Sequence, residues 1–331
     1  MKNNGIRKWA PSPQSISFIM LLLVCYVVFS LLEPAYLKSP YSVVLSAVLP
    51  AVLALSMGVV ISAGGFDLSI GHTAGFATLM CGFFLRDVGM HAYAAIACSI
   101  GLTMFIGAVN GVIVARFGIS SFITTLSMQF ILVGVRQLIT SGNSYRANNA
   151  IRNIAQGNFL GISNLIIISA AIIVIAGFVM QKTTFGRKMQ FVGANITASA
   201  FSGIRIRLYT FLAFFISGFI AGLVGVLQFS KLTSATINVG DGWLFNAMTI
   251  AVFSSVIFGR FKAHGIILVA ILVSMLTTGI NMLGVSPAWT NFVLGFILLL
   301  SLAAGKYIHF DKVVSIIKST RRQENGRQKT V

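Results

Sequence analysis

The chain has 331 residues, 24 Lys and Arg against 6 Asp and Glu, a formal net charge of +18, 56% hydrophobic and only 9% charged residues, and a mean hydropathy of +0.91. A water-soluble domain carries about 25% charged residues, so that class is excluded. Three cysteines, Cys25, Cys81 and Cys98, lack CxxC spacing and give no disulfide scaffold.

Read in order, the chain is a series of uncharged stretches bounded by charges. A helix needs about 20 apolar residues to cross a hydrocarbon core of about 30 Å. Lys8 to Glu33 encloses 24 uncharged residues, Lys38 to Asp67 28, Asp67 to Arg86 18, Asp87 to Arg116 28 and Arg116 to Arg136 19. Beyond an outer loop at 140–161, Arg152 to Lys182 encloses 29, Arg207 to Lys231 23, Asp241 to Arg260 18, and Lys262 to Lys306 43, enough for two spans around Gly284-Val285-Ser286-Pro287. These gaps predict an all-α integral membrane protein of about ten transmembrane helices. Residues 1–331 form one membrane domain, with an N-terminal segment 1–15, an inner loop 181–207, an outer loop 230–243 and a basic tail 306–331. The run Ile16 to Leu32 exceeds a signal-peptide core and Glu33-Pro34-Ala35-Tyr36 is no small-residue cleavage site, so the first helix is expected to be retained.

With the N-terminus inside and ten crossings, 18 of the 24 basic residues fall on the inner side and Lys38, Arg86, Arg136, Arg146, Arg152 and Lys231 on the outer. That bias predicts cytoplasmic N- and C-termini and explains the charge by topology rather than by nucleic acid, which is not expected as a partner. The tail, with Lys318, Arg321 and Arg322, suits the anionic headgroups of the lipid bilayer.

Asp67 is the one acidic residue set between two apolar stretches, where a charge costs about 2.5–3.5 kcal/mol even on insertion scales. A helix from Tyr41 to Asp67 would be about 39 Å long, so a break is required, and Gly64-Gly65 supplies it with Asp67 as N-cap of the next helix. Contact with a polar solute is the other role open to Asp67. Asn110, Thr124, Thr125, Ser127, Gln129, Asn246 and Asn281 lie in or at the ends of spans, where lipid leaves amides and hydroxyls unsatisfied. They serve either interhelical hydrogen bonds or a hydrophilic path. With Ser69 and aromatic faces such as Phe122 and Trp243, a path of this kind suits uncharged polyols, since it carries no ion-binding ring. His72, His91, His264 and His309 are dispersed beside no other ligand candidates, and neither a metal site nor a hydrolytic triad is expected.

The inner loop contains Thr184-Phe185-Gly186-Arg187-Lys188-Met189, then Gly193 and Asn195, then Ile196 to Ile204. Ala198, Phe201 and Ile204 fall three apart, which predicts a short amphipathic helix ended by Gly203. It is either an interfacial helix or a knob for a cytoplasmic partner.

Gly64 to Gly71 (Gly-Gly-Phe-Asp-Leu-Ser-Ile-Gly), Asn110-Gly111 followed by Ser120 to Leu126, Phe185-Gly186-Arg187 with Gly193, Asn195, Ala198, Ser202-Gly203-Ile204, and Asn281 to Val285 together resemble the permease subunit of ribose-type sugar ABC importers, from about Val44 to Leu302. At Phe253 to Gly265 the chain departs from that family's Gly-Gly-rich turn. The resemblance implies a ribose/vitamin B12-importer-like permease architecture in a bacterial cytoplasmic membrane. It implies a second permease subunit, identical or different, an extracytoplasmic sugar-binding protein, and a cytoplasmic ABC ATPase docked on 181–207, with Gly186, Arg187, Gly193, Asn195, Ala198, Ala200, Phe201, Ser202 and Gly203 as the coupling residues.

No G-x-x-x-x-G-K-[ST] occurs in the chain, so it is expected to be a transport subunit and not an enzyme, binding no cofactor itself while ATP and Mg sit on the ATPase. The competing reading is a self-sufficient secondary transporter, favoured by broken helices in both halves; Gly64-Gly65 and Ser286-Pro287 are hints of it. A membrane-embedded enzyme would need clustered His, Asp or Glu, which the sequence lacks.

Overall fold

The computed structural model describes residues 13–140, 143–259, 261–286, 288–300 and 302–303. Most of the expected N-terminal segment 1–15, all of the basic tail 306–331, and Pro287 of the expected break lie outside them. Helices dominate: α1 (Pro13–Leu32), α2 (Pro40–Ser62), α3 (Ile70–Arg86), α4 (Ala92–Phe117), α5 (Ser121–Thr140), α6 (Asn149–Gln156), α7 (Asn164–Lys182), α8 (Thr184–Ala194), α9 (Ile196–Phe201), α10 (Ile206–Leu232), α11 (Trp243–Phe258), α12 (Ala263–Met282) and α13 (Ala288–Leu300).

Ten of these occupy the ten expected spans in order. Seven are long and apolar enough to cross a bilayer, namely α1, α2, α4, α5, α7, α10 and α12. The others are shorter, and for α3 and α11, at 17 and 16 residues, the reason is structural. Each follows a turn packed against neighbouring helices, 63–69 before α3 and 233–242 before α11.

At the centre stand α2 and α10: 72% of the α2 window and 61% of the α10 window are buried, against 17% for α1. Small residues allow this. Gly218 and Gly222, four apart on α10, press against Thr103 and Gly107 of α4, where a Cβ would overlap the Thr103 carbonyl or hydroxyl. The main apolar core lies among α2, α10, α11 and α12, through Val52, Leu55, Val224, Ile250 and Val269. Helix ends are set locally: Pro40 opens α2 at a position that needs no N–H, and Gly118, at φ +71°, closes α4.

Residues 143–161 of the loop carry more regular structure than their polar composition suggests. Asn148 Oδ1 accepts from Ile151 N–H and starts α6, whose Ile151 and Ala155 are buried. Strand β1 (Tyr145–Arg146) pairs antiparallel with β4 (Ser234–Ala235), Tyr145 opposite Ala235, joining this loop to the one after α10. Strands β2 (Asn158–Phe159) and β3 (Ile162–Ser163) form a hairpin around Leu160 and Gly161, both at positive φ. Tyr145 donates to Asp87 Oδ2 at 2.8 Å; burial, then that carboxylate, push its phenol up to about 12, so it remains a donor at neutral pH.

Candidate functional site

Two turns carry the polar chemistry of the bundle. The first, 63–69, follows α2: Gly64 takes φ +84°, and Gly64 and Gly65 N–H donate to the Ile61 and Val60 carbonyls. Asp67 is buried at 3% exposure. It is not the N-cap of α3; Ser69 holds that position, without a side-chain cap bond. Asp67 Oδ1 instead accepts from the N–H and the hydroxyl of Ser69, at 3.0 and 2.6 Å, and Oδ2 accepts from Ser217 Oγ of α10 at 2.8 Å. Asn110 Nδ2 donates to Ser69 Oγ at 3.2 Å, and Ser56 Oγ to Ser217 Oγ at 3.0 Å. The backbone of the turn is tied to α5, since Phe66 N–H donates to Ser121 Oγ and Leu68 N–H to Thr125 Oγ1. Among the described residues no cation pairs with Asp67. The carboxylate is thus satisfied by neutral donors from its own turn and α10, while α2, α4 and α5 brace those donors or the turn, which lowers the cost of burying it.

The second turn, 233–242, lies within the expected outer loop 230–243. It packs closely against α3. A Cβ on Gly75 would overlap the Val239 carbonyl, and one on Gly71 would lie 2.9 Å from Leu244 N, so the turn packs where only glycine permits it. Arg136, expected as a charge at the outer end of its span, lies within α5 at 2% exposure. Its Nη1 donates to the Val239 carbonyl, and its Nη2 lies 2.9 Å from His72 Nδ1 and 3.3 Å from Asp241 Oδ1. His72 is thus not isolated, being 3.6 Å from Asp241. Among the described residues no three His, Cys, Asp or Glu side chains gather as a metal site would require.

The remaining predicted residues divide. Gln129 joins His72, Arg136, Gln137, Asn238 and Asp241 around a polar pocket of about 420 Å³. Phe122 and Ser127 lie on the exposed face of α5, Thr124 is buried with its hydroxyl unpartnered, and Asn246 lines a separate cavity of about 170 Å³ with Gln228, Lys231 and Trp243. Asn281 is exposed at the end of α12, apart from all of these. Sequence reasoning missed Arg136, His72 and Asp241 as a group; the available signal was that no charge follows Arg136 until Arg146, which leaves it within an apolar helix.

The inner loop is two helices. Thr183 Oγ1 caps α8 through Gly186 N–H, and Asn195 Oδ1 caps α9 through Ala198 N–H. A Cβ on Gly193 would lie 2.7 Å from Gly64 N and overlap the Ser62 carbonyl, so α8 abuts the first turn directly. On α9 the buried residue is Ser199, whereas Ala198, Ala200, Ser202 and Gly203 are exposed and Phe201 is 89% exposed. The expected apolar face through Ala198 and Phe201 therefore points away from the protein.

The family model described as "Branched-chain amino acid transport system / permease component" matches residues 39–302. The chain is similar to the ribose import permease protein of Escherichia coli (strain K12), 27% identical over 294 residues, covering 86% of this chain and 91% of that one. It is 30% identical over 246 residues to the fructose import permease protein of Bifidobacterium longum, covering 72% and 69%. To the galactofuranose transporter permease protein of Escherichia coli (strain K12) it is 26% identical over 322 residues, covering 94% and 93%. No solved structure matches.

Proposed function

The chain belongs to the branched-chain amino acid transport system permease family, and from that premise we propose that it is the membrane-spanning subunit of an ATP-driven importer that carries a monosaccharide delivered by an extracytoplasmic binding protein. The relatives named for ribose, fructose and galactofuranose support a sugar over other polar solutes. It is a multi-pass permease and not an enzyme; ATP and Mg are handled on a partner ATPase. The secondary-transporter alternative loses its ground in this family.

The observation that carries the coupling is α9: an apolar ring, Phe201, stands 89% exposed among small residues on a helix that directly follows α8, whose Gly193 abuts the first turn. Exposed aromatic anchors surrounded by small residues suit a partner cleft, and α8–α9 is where the ATPase docks. A second permease subunit covers the exposed face of α5, because Ser127 and Gln137 there would be unsatisfied in lipid. The solute path then runs between that face and its counterpart. Both termini are cytoplasmic, supported by the 18 inner against 6 outer basic residues. A thiol introduced at Asn149 should react with an impermeant reagent from outside; reaction only from the cytoplasm would overturn the orientation.

Ala200→Trp and Phe201→Ser test the coupling. Both side chains are exposed, so the permease should insert normally, yet lose co-purification with its ATPase and sugar-stimulated ATP hydrolysis. Normal assembly and stimulation with both variants would reject the reading, as would uptake that ignores loss of the ATPase and follows only the proton gradient.

A further inference from the structure

The pocket at the second turn has the chemistry of a binding site. Arg136 is 2% exposed, and its Nε has no partner; Gln129 Oε1, on the same helix two turns away, has none either. A buried donor and a buried acceptor left unmatched each cost about 1–3 kcal/mol, and here both belong to residues that line the pocket. Asp241, half-exposed at 54% and 3.3 Å from Arg136 Nη2, lines the same pocket, as does the exposed Gln137. The volume, about 420 Å³, lies in the range of about 300–1,000 Å³ that holds small ligands.

Charge narrows the ligand. Arg136 can only donate, so His72 Nδ1, 2.9 Å away, must accept and carries no proton; the imidazole is neutral. One guanidinium then faces one carboxylate and the pocket is neutral overall. An anion would meet Asp241 and a cation Arg136. Neighbouring hydroxyls of an uncharged polyol can bridge the two, donating to the carboxylate and accepting from the guanidinium.

Residue positions place the pocket in the path. Arg136 is four residues and Gln129 eleven from the Thr140 end of α5, about 6 and 16 Å along the helix. Gln137 belongs to the exposed face assigned above to the second subunit.

We infer that the pocket formed by α3, α5 and the turn 233–242 is a transient subsite for an uncharged polyol, in which Asp241 and Gln137 contact the solute while Arg136 both binds it and holds the turn through the Val239 carbonyl. The inference rests on the monosaccharide reading. Arg136 is unsuited to the test because its loss would also free the turn.

The test uses the complete importer in proteoliposomes, with labelled ribose, fructose and galactose as probes and galacturonate as competitor, comparing wild type with Asp241→Asn and Gln137→Leu. Wild type should carry at least one of the sugars. Both variants should carry it about tenfold more slowly, with binding-protein-stimulated ATP hydrolysis within about twofold of wild type. Asp241→Asn should also become sensitive to galacturonate, because Arg136 loses its counter-charge, a change that a purely structural role for Asp241 would not produce. If wild type carries a sugar and both variants match it in rate and in galacturonate insensitivity, the subsite is rejected while the monosaccharide reading stands. If wild type carries none of the three sugars, that reading falls and the polyol subsite with it.

Discussion

Two turns interrupt the bundle, each carries one aspartate, and the two aspartates are treated in opposite ways. At 63–69, Asp67 is buried and both oxygens accept from hydroxyls or backbone, with Asn110, Ser56, Ser121 and Thr125 completing the knot. At 233–242, Asp241 stays half-exposed, pairs with a buried arginine, and lines a cavity whose other residues include two with unpartnered polar atoms. A satisfied carboxylate fixes geometry, because any movement breaks several bonds together. An incompletely satisfied group is available to a ligand. Each turn also rests on a glycine of another helix, Gly193 of α8 for the first and Gly75 of α3 for the second. Under the function proposed above, the first turn transmits position from the ATPase side and the second meets the solute.

The comparison breaks most strongly at those glycines. Gly193→Val and Gly75→Val each drive a side chain into a backbone carbonyl, and overpacking of this kind costs about 1–3 kcal/mol or more. Thermal unfolding in detergent should show a lowered Tm for both, whereas co-purification with the ATPase should fail for Gly193→Val alone. Equal retention of the ATPase by both would mean that α8 and the first turn are not one mechanical unit.

Asp67 gives the next largest effect. Asp67→Ala leaves Ser69 N–H and the Ser69 and Ser217 hydroxyls without their acceptor, a loss of about 1.5–3 kcal/mol for bonds to a charged group. Asp67→Asn keeps one acceptor oxygen and should retain most of the stability and transport. Should Asn, Ser and Ala abolish uptake alike in a normally folded permease, the carboxylate's charge would be needed and the turn would not be a passive lock.

Asn281→Ala marks the small end of the scale. The side chain is exposed at the end of α12, so stability should change by no more than about 0.5 kcal/mol and uptake kinetics should stay unaltered. A raised KM in this variant would extend the solute path to a surface that neither turn reaches.

How much the sequence disclosed follows from the range of each interaction. Charge-free gaps and the Gly64-Gly65 break are local, and they located ten helices and the first turn. The capped α9 was legible as well, because Asn195 and Gly203 lie within one short window. Its apolar face was read as turned outward, to an interface or a partner, but only packing reveals that Ser199 is the residue turned inward. Helix α6 was hidden by its asparagines, although Ile151, Ile154 and Ala155 have helical spacing. The second turn was illegible for a different reason. Its path depends on Gly71 and Gly75, and its charge partners lie 64 and 105 positions apart, on helices whose neighbours no local pattern specifies.

The difference between the turns is tested most directly by thiol accessibility. In a background with Cys25, Cys81 and Cys98 replaced, single cysteines at Gln137 and at Ser69 are treated with a membrane-impermeant maleimide in the assembled importer, with and without binding protein loaded with the transported sugar. The cysteine at Gln137 should label from the outside and be protected when sugar is delivered, and the cysteine at Ser69 should remain unlabelled in both conditions. Labelling at Ser69 that sugar prevents, or labelling at Gln137 that sugar leaves unchanged, would contradict the assignment of the solute to the outer turn.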